Sequence, residues 1–214
     1  MFTKETLEKY LEMTKSKEMP GGGSVVGYTG SLGAALAMMV SNLTTDKKSY
    51  QGLSDDIKER FQKDYDRLNE IADELLVMCD EDANSFQAVL DAMALPKETE
   101  EEKKARSAQI QEGYKTALEV PFKTCELCLE GLKLNDVFAE YGNIWAITDQ
   151  GCSTLLLAAS GEAALLNVII NLKSIKDEEY KAEIVSKMEQ YRKEMDEYKE
   201  RYMNSCYSRL EKME

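Results

Sequence analysis

The sequence contains no histidine. Ser-His-Asp and Cys-His triads, HExxH zinc sites and di-iron bundles built on Glu-x-x-His are therefore excluded. Any proton transfer falls to carboxylates, Lys, Tyr, Cys or water. Glycine and proline are scarce, at 12 and 3 of 214 residues, which leaves little turn material for a many-stranded β fold. Positive charge is also in deficit: 27 Lys and Arg stand against 40 Asp and Glu, a net charge of -13. No nucleic-acid or anionic-membrane partner is expected of such a chain. Cys79, Cys125, Cys128, Cys152 and Cys206 are odd in number and sit in apolar helical patterns, as thiols of a reducing compartment do. Cys125 and Cys128 match C-x-x-C but lack a preceding strand or a second ligand pair, so no metal or redox site is expected. Lys4, Glu5, Glu8, Lys9 and Glu12 do not fit a signal peptide, and a cytoplasmic location is expected.

What is present is 43% apolar and 31% charged residues, suited to one globular domain over residues 1–214. Periodicity predicts an all-α bundle, with two apolar helices inside and long amphipathic ones around them. Residues 3–18 read as a short amphipathic helix. From Met19 through Thr45 there is no charge, and small residues at Gly23, Gly27, Gly30, Ala34, Ala37 and Ser41 form a stripe. Such a stripe lets neighbouring backbones approach, so a fully buried core or interface helix is predicted rather than a membrane span. Ser54 is a candidate N-cap for a helix running to Leu95-Pro96, with Asp82 at the edge of its apolar stripe. Thr99 and Glu102 have capping-box spacing and open a helix to about Leu132, bent at Pro121. A short segment around Val137 and Phe138 ends at Gly142. A second apolar helix spans about Gln150 to Leu172, interrupted only by Glu162, with Thr148 or Asp149 as its N-cap. Residues 177–213 carry a 4-3 seam of Ile184, Met188, Tyr191, Met195, Tyr198, Tyr202, Cys206 and Leu210.

Pro20-Gly-Gly-Gly-Ser24 at the mouth of the first apolar helix suits a carboxylate or phosphate, because glycines free the backbone and a helix N-terminus is electropositive. A purely structural turn is the competing reading. Lys47, Lys48 and Lys97 are candidate anion contacts or solvated cations. Asn167 and Asn171, one turn apart in an apolar run, are costly unless hydrogen-bonded and serve equally well as polar glue between helices.

Pro20-Gly-Gly-Gly-Ser24, Ser31 through Thr44 and Lys47-Lys-Ser-Tyr50 together resemble the opening of the cyclodeaminase domain of the formiminotransferase-cyclodeaminase family. The resemblance continues through Asp82-Ala-Asn-Ser-Phe86, Leu95-Pro-Lys97, Ala117-Leu-Glu-Val-Pro121, Gly142-Asn143, Asp149 and Leu166 through Leu172, in the family's order. Asp46 stands where the family usually has Gly, and Ile144-Trp145 replaces its Pro-Asn. The resemblance is to stand-alone members, and it implies an all-helical homodimer acting on tetrahydrofolate derivatives without a further cofactor. Two reactions fit: 5-formiminotetrahydrofolate to 5,10-methenyltetrahydrofolate with loss of ammonia, or interconversion of the 5,10-methenyl and 10-formyl forms. Chemistry laid on the matching positions makes Asp82 and Asp149 the electrostatic and acid/base carboxylates and Lys97 a proton donor. Gly21, Gly22, Gly23 and Ser24, with Lys47 and Lys48, would hold the p-aminobenzoyl part or the glutamate tail, which can be polyglutamylated. Asn143, with Asn167 or Asn171, would contact the pterin. The reading from a different class is a non-catalytic helical assembly protein that uses the seam at 184–213 for partners.

Overall fold

The computed structural model describes residues 1–213, and among these there is no strand. The helices are α1 (Leu7–Thr14), α2 (Gly22–Thr45), α3 (Lys48–Gln51), α4 (Asp55–Ser85), α5 (Gln87–Met93), α6 (Glu100–Leu134), α7 (Asp136–Tyr141), α8 (Ile147–Leu172) and α9 (Glu178–Leu210). The all-α bundle expected from the periodicity is the fold observed.

α2 is central. Its small-residue stripe faces α4 on one side and α8 on the other, both running antiparallel to it. Gly27 shows why the stripe is needed: a Cβ there would lie 2.8 Å from the Cys79 backbone N and 3.0 Å from the Leu75 carbonyl O. Ser31 Oγ donates to the Ala72 carbonyl at 2.8 Å and ties the same two helices one turn further on. α6 closes the bundle behind α4 and α8, and the Arg67 guanidinium of α4 donates to both carboxylate oxygens of Glu130 on α6. The 4-3 seam of α9 is spent within the subunit, because Ile184, Met188, Met195, Tyr202 and Cys206 are buried against α6 and α8. That use of the seam leaves the assembly-protein reading without its surface.

Several boundaries differ from expectation for identifiable reasons. The helix predicted to reach Leu95 is broken at Phe86, where the Ser85 hydroxyl donates back to the Asp82 carbonyl and competes with the helical ladder. α8 begins at Ile147, continuous with a 3-10 turn over Ile144–Ala146, so Ala146 is its N-cap and Thr148 and Asp149 fall inside its first turn. The Thr99–Glu102 capping box forms in both directions. Cys125 and Cys128 are buried free thiols, and burial pushes Cys125 up to about 12, which makes it inert. Neither apolar helix is fully buried: Leu32, Met39 and Leu43 of α2 and Leu155, Leu166 and Ile170 of α8 are exposed on a shared face. By length and composition both helices are apolar enough to cross a membrane.

The Gly27 contact makes a prediction of unusual sign. Alanine favours a helix over glycine by up to about 1 kcal/mol, yet Gly27→Ala presses on backbone atoms that cannot swing aside. Net destabilisation of about 1–3 kcal/mol is expected. Denaturant unfolding that shows equal or greater stability would contradict it.

Candidate functional site

The site is built where the start of α2, the end of α4 and the end of α8 meet. Gly21 is the N-cap of α2 in extended conformation, and no glycine in the chain has positive φ. Within the glycine run only Gly23 is needed for space, and none of the three takes a left-handed conformation. Gly23 and Ser24 are buried, and the Asp82 carboxylate of α4 lies where a Gly23 Cβ would stand. The anion expected at this helix mouth is the chain's own Asp82. Burial raises the Asp82 pKa above the ordinary aspartate value, and the Ser24 backbone N–H beside it pulls in the opposite direction. Behind it, the Tyr10 and Ser24 hydroxyls share a hydrogen bond at 3.0 Å, and Ser24 Oγ lies 3.2 Å from Cys79 Sγ. Burial pushes Tyr10 up to about 12, so its hydroxyl stays protonated and brackets the first turn of α2 against α1.

In front of Asp82 opens a cleft of about 510 Å³ that also reaches Asn167, Asn171, Pro121 and Lys173. Asn167 Nδ2 donates to the Ala163 carbonyl at 3.1 Å, and Asn171 Nδ2 donates to the Ala117 carbonyl at 3.2 Å. Asn171 is thus the polar glue between α8 and α6, Asn167 bonds back within its own helix, and both line the cleft. Phe86 and Tyr114 form an edge-to-face pair on the wall, with ring centroids 6.0 Å apart. Neither ring, nor Lys173, was selected from the sequence. The available signals were spacing: Phe86 stands one turn after Asp82, and Tyr114 two turns before Pro121. The cleft can take a flat ring against its aromatic wall and steady a cationic carbon against Asp82. A larger groove of about 790 Å³ between α8 and α9 has a floor of Leu165, Ile169 and Met188 and reaches none of the sequence-selected residues.

The remaining selected residues lie elsewhere in the subunit. Lys47 and Lys48 are exposed beyond the far end of α2, about 36 Å along the helix from Gly23 at 1.5 Å per residue. Asn143 joins that end: its backbone N–H donates to Thr44 Oγ1 at 2.7 Å, its Nδ2 to the Leu43 carbonyl at 3.0 Å, and its Oδ1 accepts from the Trp145 N–H. With all three groups engaged, Asn143 is a tie between α2 and α8. Asp149 is half-buried in the first turn of α8, about 27 Å along that helix from Asn167. Lys97 is exposed on the α5–α6 connection and does not line the cleft. No group of three or more His, Cys, Asp or Glu among the described residues is arranged to hold a metal.

Known proteins agree with this architecture. Residues 6–190 match the family described as formiminotransferase-cyclodeaminase. A methenyltetrahydrofolate cyclohydrolase of Methylorubrum extorquens is 39% identical over 186 residues, covering 86% of this chain and 88% of its own. A formimidoyltransferase-cyclodeaminase of Gallus gallus is 36% identical over 170 residues, covering 77% of this chain but only 30% of that longer protein. The crystal structure of formiminotetrahydrofolate cyclodeaminase from Thermotoga maritima superposes with a TM-score of 0.85 over 98% of this chain and 100% of that one, at 24% identity. Blocks read along the sequence, the helical fold and the matched relatives converge: the chain belongs to the formiminotransferase-cyclodeaminase family.

Proposed function

We propose that the protein is a folate one-carbon enzyme that closes 5-formiminotetrahydrofolate to 5,10-methenyltetrahydrofolate with release of ammonia, and that the Asp82 cleft is its active site. The single observation that carries the assignment is a half-buried carboxylate at the mouth of α2 facing an aromatic-walled cleft. In the reaction N10 attacks the formimino carbon, giving a carbon bonded to three nitrogens. The N10 proton moves to the nitrogen that departs as ammonia, and the methenyl cation remains. Asp82 stabilises the cationic amidine-like centre and, made more basic by burial, relays that proton. Phe86 and Tyr114 hold the ring, and Asn167 and Asn171 contact the pterin. Lys173, which lines the cleft where Lys97 does not, takes the glutamate tail. A second reading is cyclohydrolysis, in which water adds to the same methenyl carbon; the relative from Methylorubrum extorquens that aligns nearly end to end favours it.

The same reading includes a cytoplasmic homodimer joined through the exposed apolar face of α2 and α8, without nucleic-acid or membrane partners. A two-fold axis in that face and perpendicular to the helices reverses their ends. Lys47, Lys48 and Asp149 of each subunit then approach the Asp82 cleft of the partner, uniting two groups that one subunit keeps apart.

Four outcomes test these proposals. The methenyl chromophore should appear when the protein meets 5-formiminotetrahydrofolate, and its loss from 5,10-methenyltetrahydrofolate instead would select the second reading; no absorbance change with either substrate overturns both. Asp82→Asn should lower turnover about a hundredfold or more with the fold intact. In the wild type, a rate that needs ionised Asp82 should fall on acidification at a pH above the ordinary aspartate value of about 3.9, because burial raises the folded-state pKa and the active form is lost as pH drops through it. An acid limb unchanged by the substitution removes Asp82 from the mechanism. Finally, mixed and re-annealed Asp82→Asn and Asp149→Asn chains should recover about a quarter of wild-type turnover, since half the dimers then carry one intact composite site. No recovery above the separate variants rejects the shared site.

A further inference from the structure

Proline in a helix interior has no N–H to give to the carbonyl four residues before it. Pro121 lies inside α6, so the carbonyl of Ala117 loses its helical donor, and Ala117 is buried, 1% exposed. A buried carbonyl without a donor is unfavourable, and another group must supply one. The group that does so is Asn171 Nδ2 on α8, at 3.2 Å. This bond settles which way the Asn171 amide faces. Its nitrogen is held by α6, and its Oδ1 accepts no hydrogen bond from any described residue. One turn earlier Asn167 donates through Nδ2 to the Ala163 carbonyl of its own helix, and its Oδ1 accepts from no described residue.

We infer that Pro121 is a positioning residue that acts through Asn171. By orphaning the Ala117 carbonyl it locks the Asn171 amide with its oxygen toward the ligand, so that this end of the cleft presents acceptors: Asn171 Oδ1, Asn167 Oδ1 and the Asp82 carboxylate. A surface of that polarity selects a ring edge that carries N–H donors. The reduced pterin has such an edge in its amino group and ring N–H groups, whereas its carbonyl oxygen and the glutamate carboxylates would be repelled. The inference rests on the reading of the Asp82 cleft as the folate site and names what the asparagines read there.

Pro121→Ala restores the N–H at 121, returns Ala117 to the helical ladder and releases the Asn171 amide. The expected result is an approximately tenfold rise in KM for the folate substrate with little change in kcat, in a protein that melts no lower than wild type. Asn171→Ala should raise KM similarly, and adding Pro121→Ala to it should raise KM no further. Melting temperatures supply a readout independent of activity. Asn171→Ala should lower the midpoint in the Pro121 background, where it strands the carbonyl, and should lower it less in the Pro121→Ala background, where the backbone satisfies it. Additive melting shifts would overturn the lock, and additive KM changes would overturn the role in recognition. Asp82→Asn separates the two levels. If it is slow while the KM cycle is additive, the positioning role alone fails; if it turns over like wild type, the cleft is not the site and the inference fails with it.

Discussion

The approach of α2 to its neighbours at backbone distance is the constraint on which the rest of the molecule depends. A helix with almost no side-chain bulk on one stripe lets α4 and α8 lie against its main chain, as the space denied to a Cβ at Gly27 shows. Because both partners run antiparallel to it, the start of α2, the end of α4 and the end of α8 share one pole of the bundle. That pole is where Gly23, Asp82, Asn167 and Asn171 gather. The opposite pole gathers Lys47, Asn143 and Asp149 by the same rule.

Two departures from regular helix geometry shape the cleft at that pole. The break at Phe86, where the Ser85 hydroxyl takes the Asp82 carbonyl, ends α4 just past the carboxylate and turns Phe86 toward Tyr114. Pro121 withholds its N–H from a carbonyl on α6 that accepts from a side chain of α8. In each case a local cost in hydrogen bonding is offset by a contact between elements, and the contact fixes the direction of a functional group. Burial raises the pKa of Asp82 above the ordinary aspartate value, the shift that the proposed proton relay uses.

The face shared by α2 and α8 follows from the same economy of side chains. Small residues point inward, so the larger ones, Leu32, Met39, Leu155 and Leu166 among them, are left outward. An apolar surface on the two most central helices joins the architecture of one subunit to the dimer proposed above.

Much of this was legible in the linear chain. Missing histidine left proton transfer to carboxylates, Lys, Tyr, Cys or water; periodicity and the uncharged stretches determined an all-α bundle around two apolar helices; the capping box marked where α6 begins. Glycine at 23 and aspartate at 82 were both noticed, but their meeting was not, because a one-dimensional pattern carries no information on which helix ends coincide. The bend at Pro121 is legible in the sequence, while its consequence for Asn171 needed the carbonyl and the amide to be seen across two helices. Sequence alone determined the long helical segments and their apolar faces, though not every boundary, since those segments and faces follow from local propensity and period. Tertiary structure decided that Asp82, Asn167 and Asn171 form one cleft and that Asp149, Asn143 and the lysine pair lie about 27–36 Å away along the helices, because pole assignment follows from the antiparallel packing of α2 against α4 and α8.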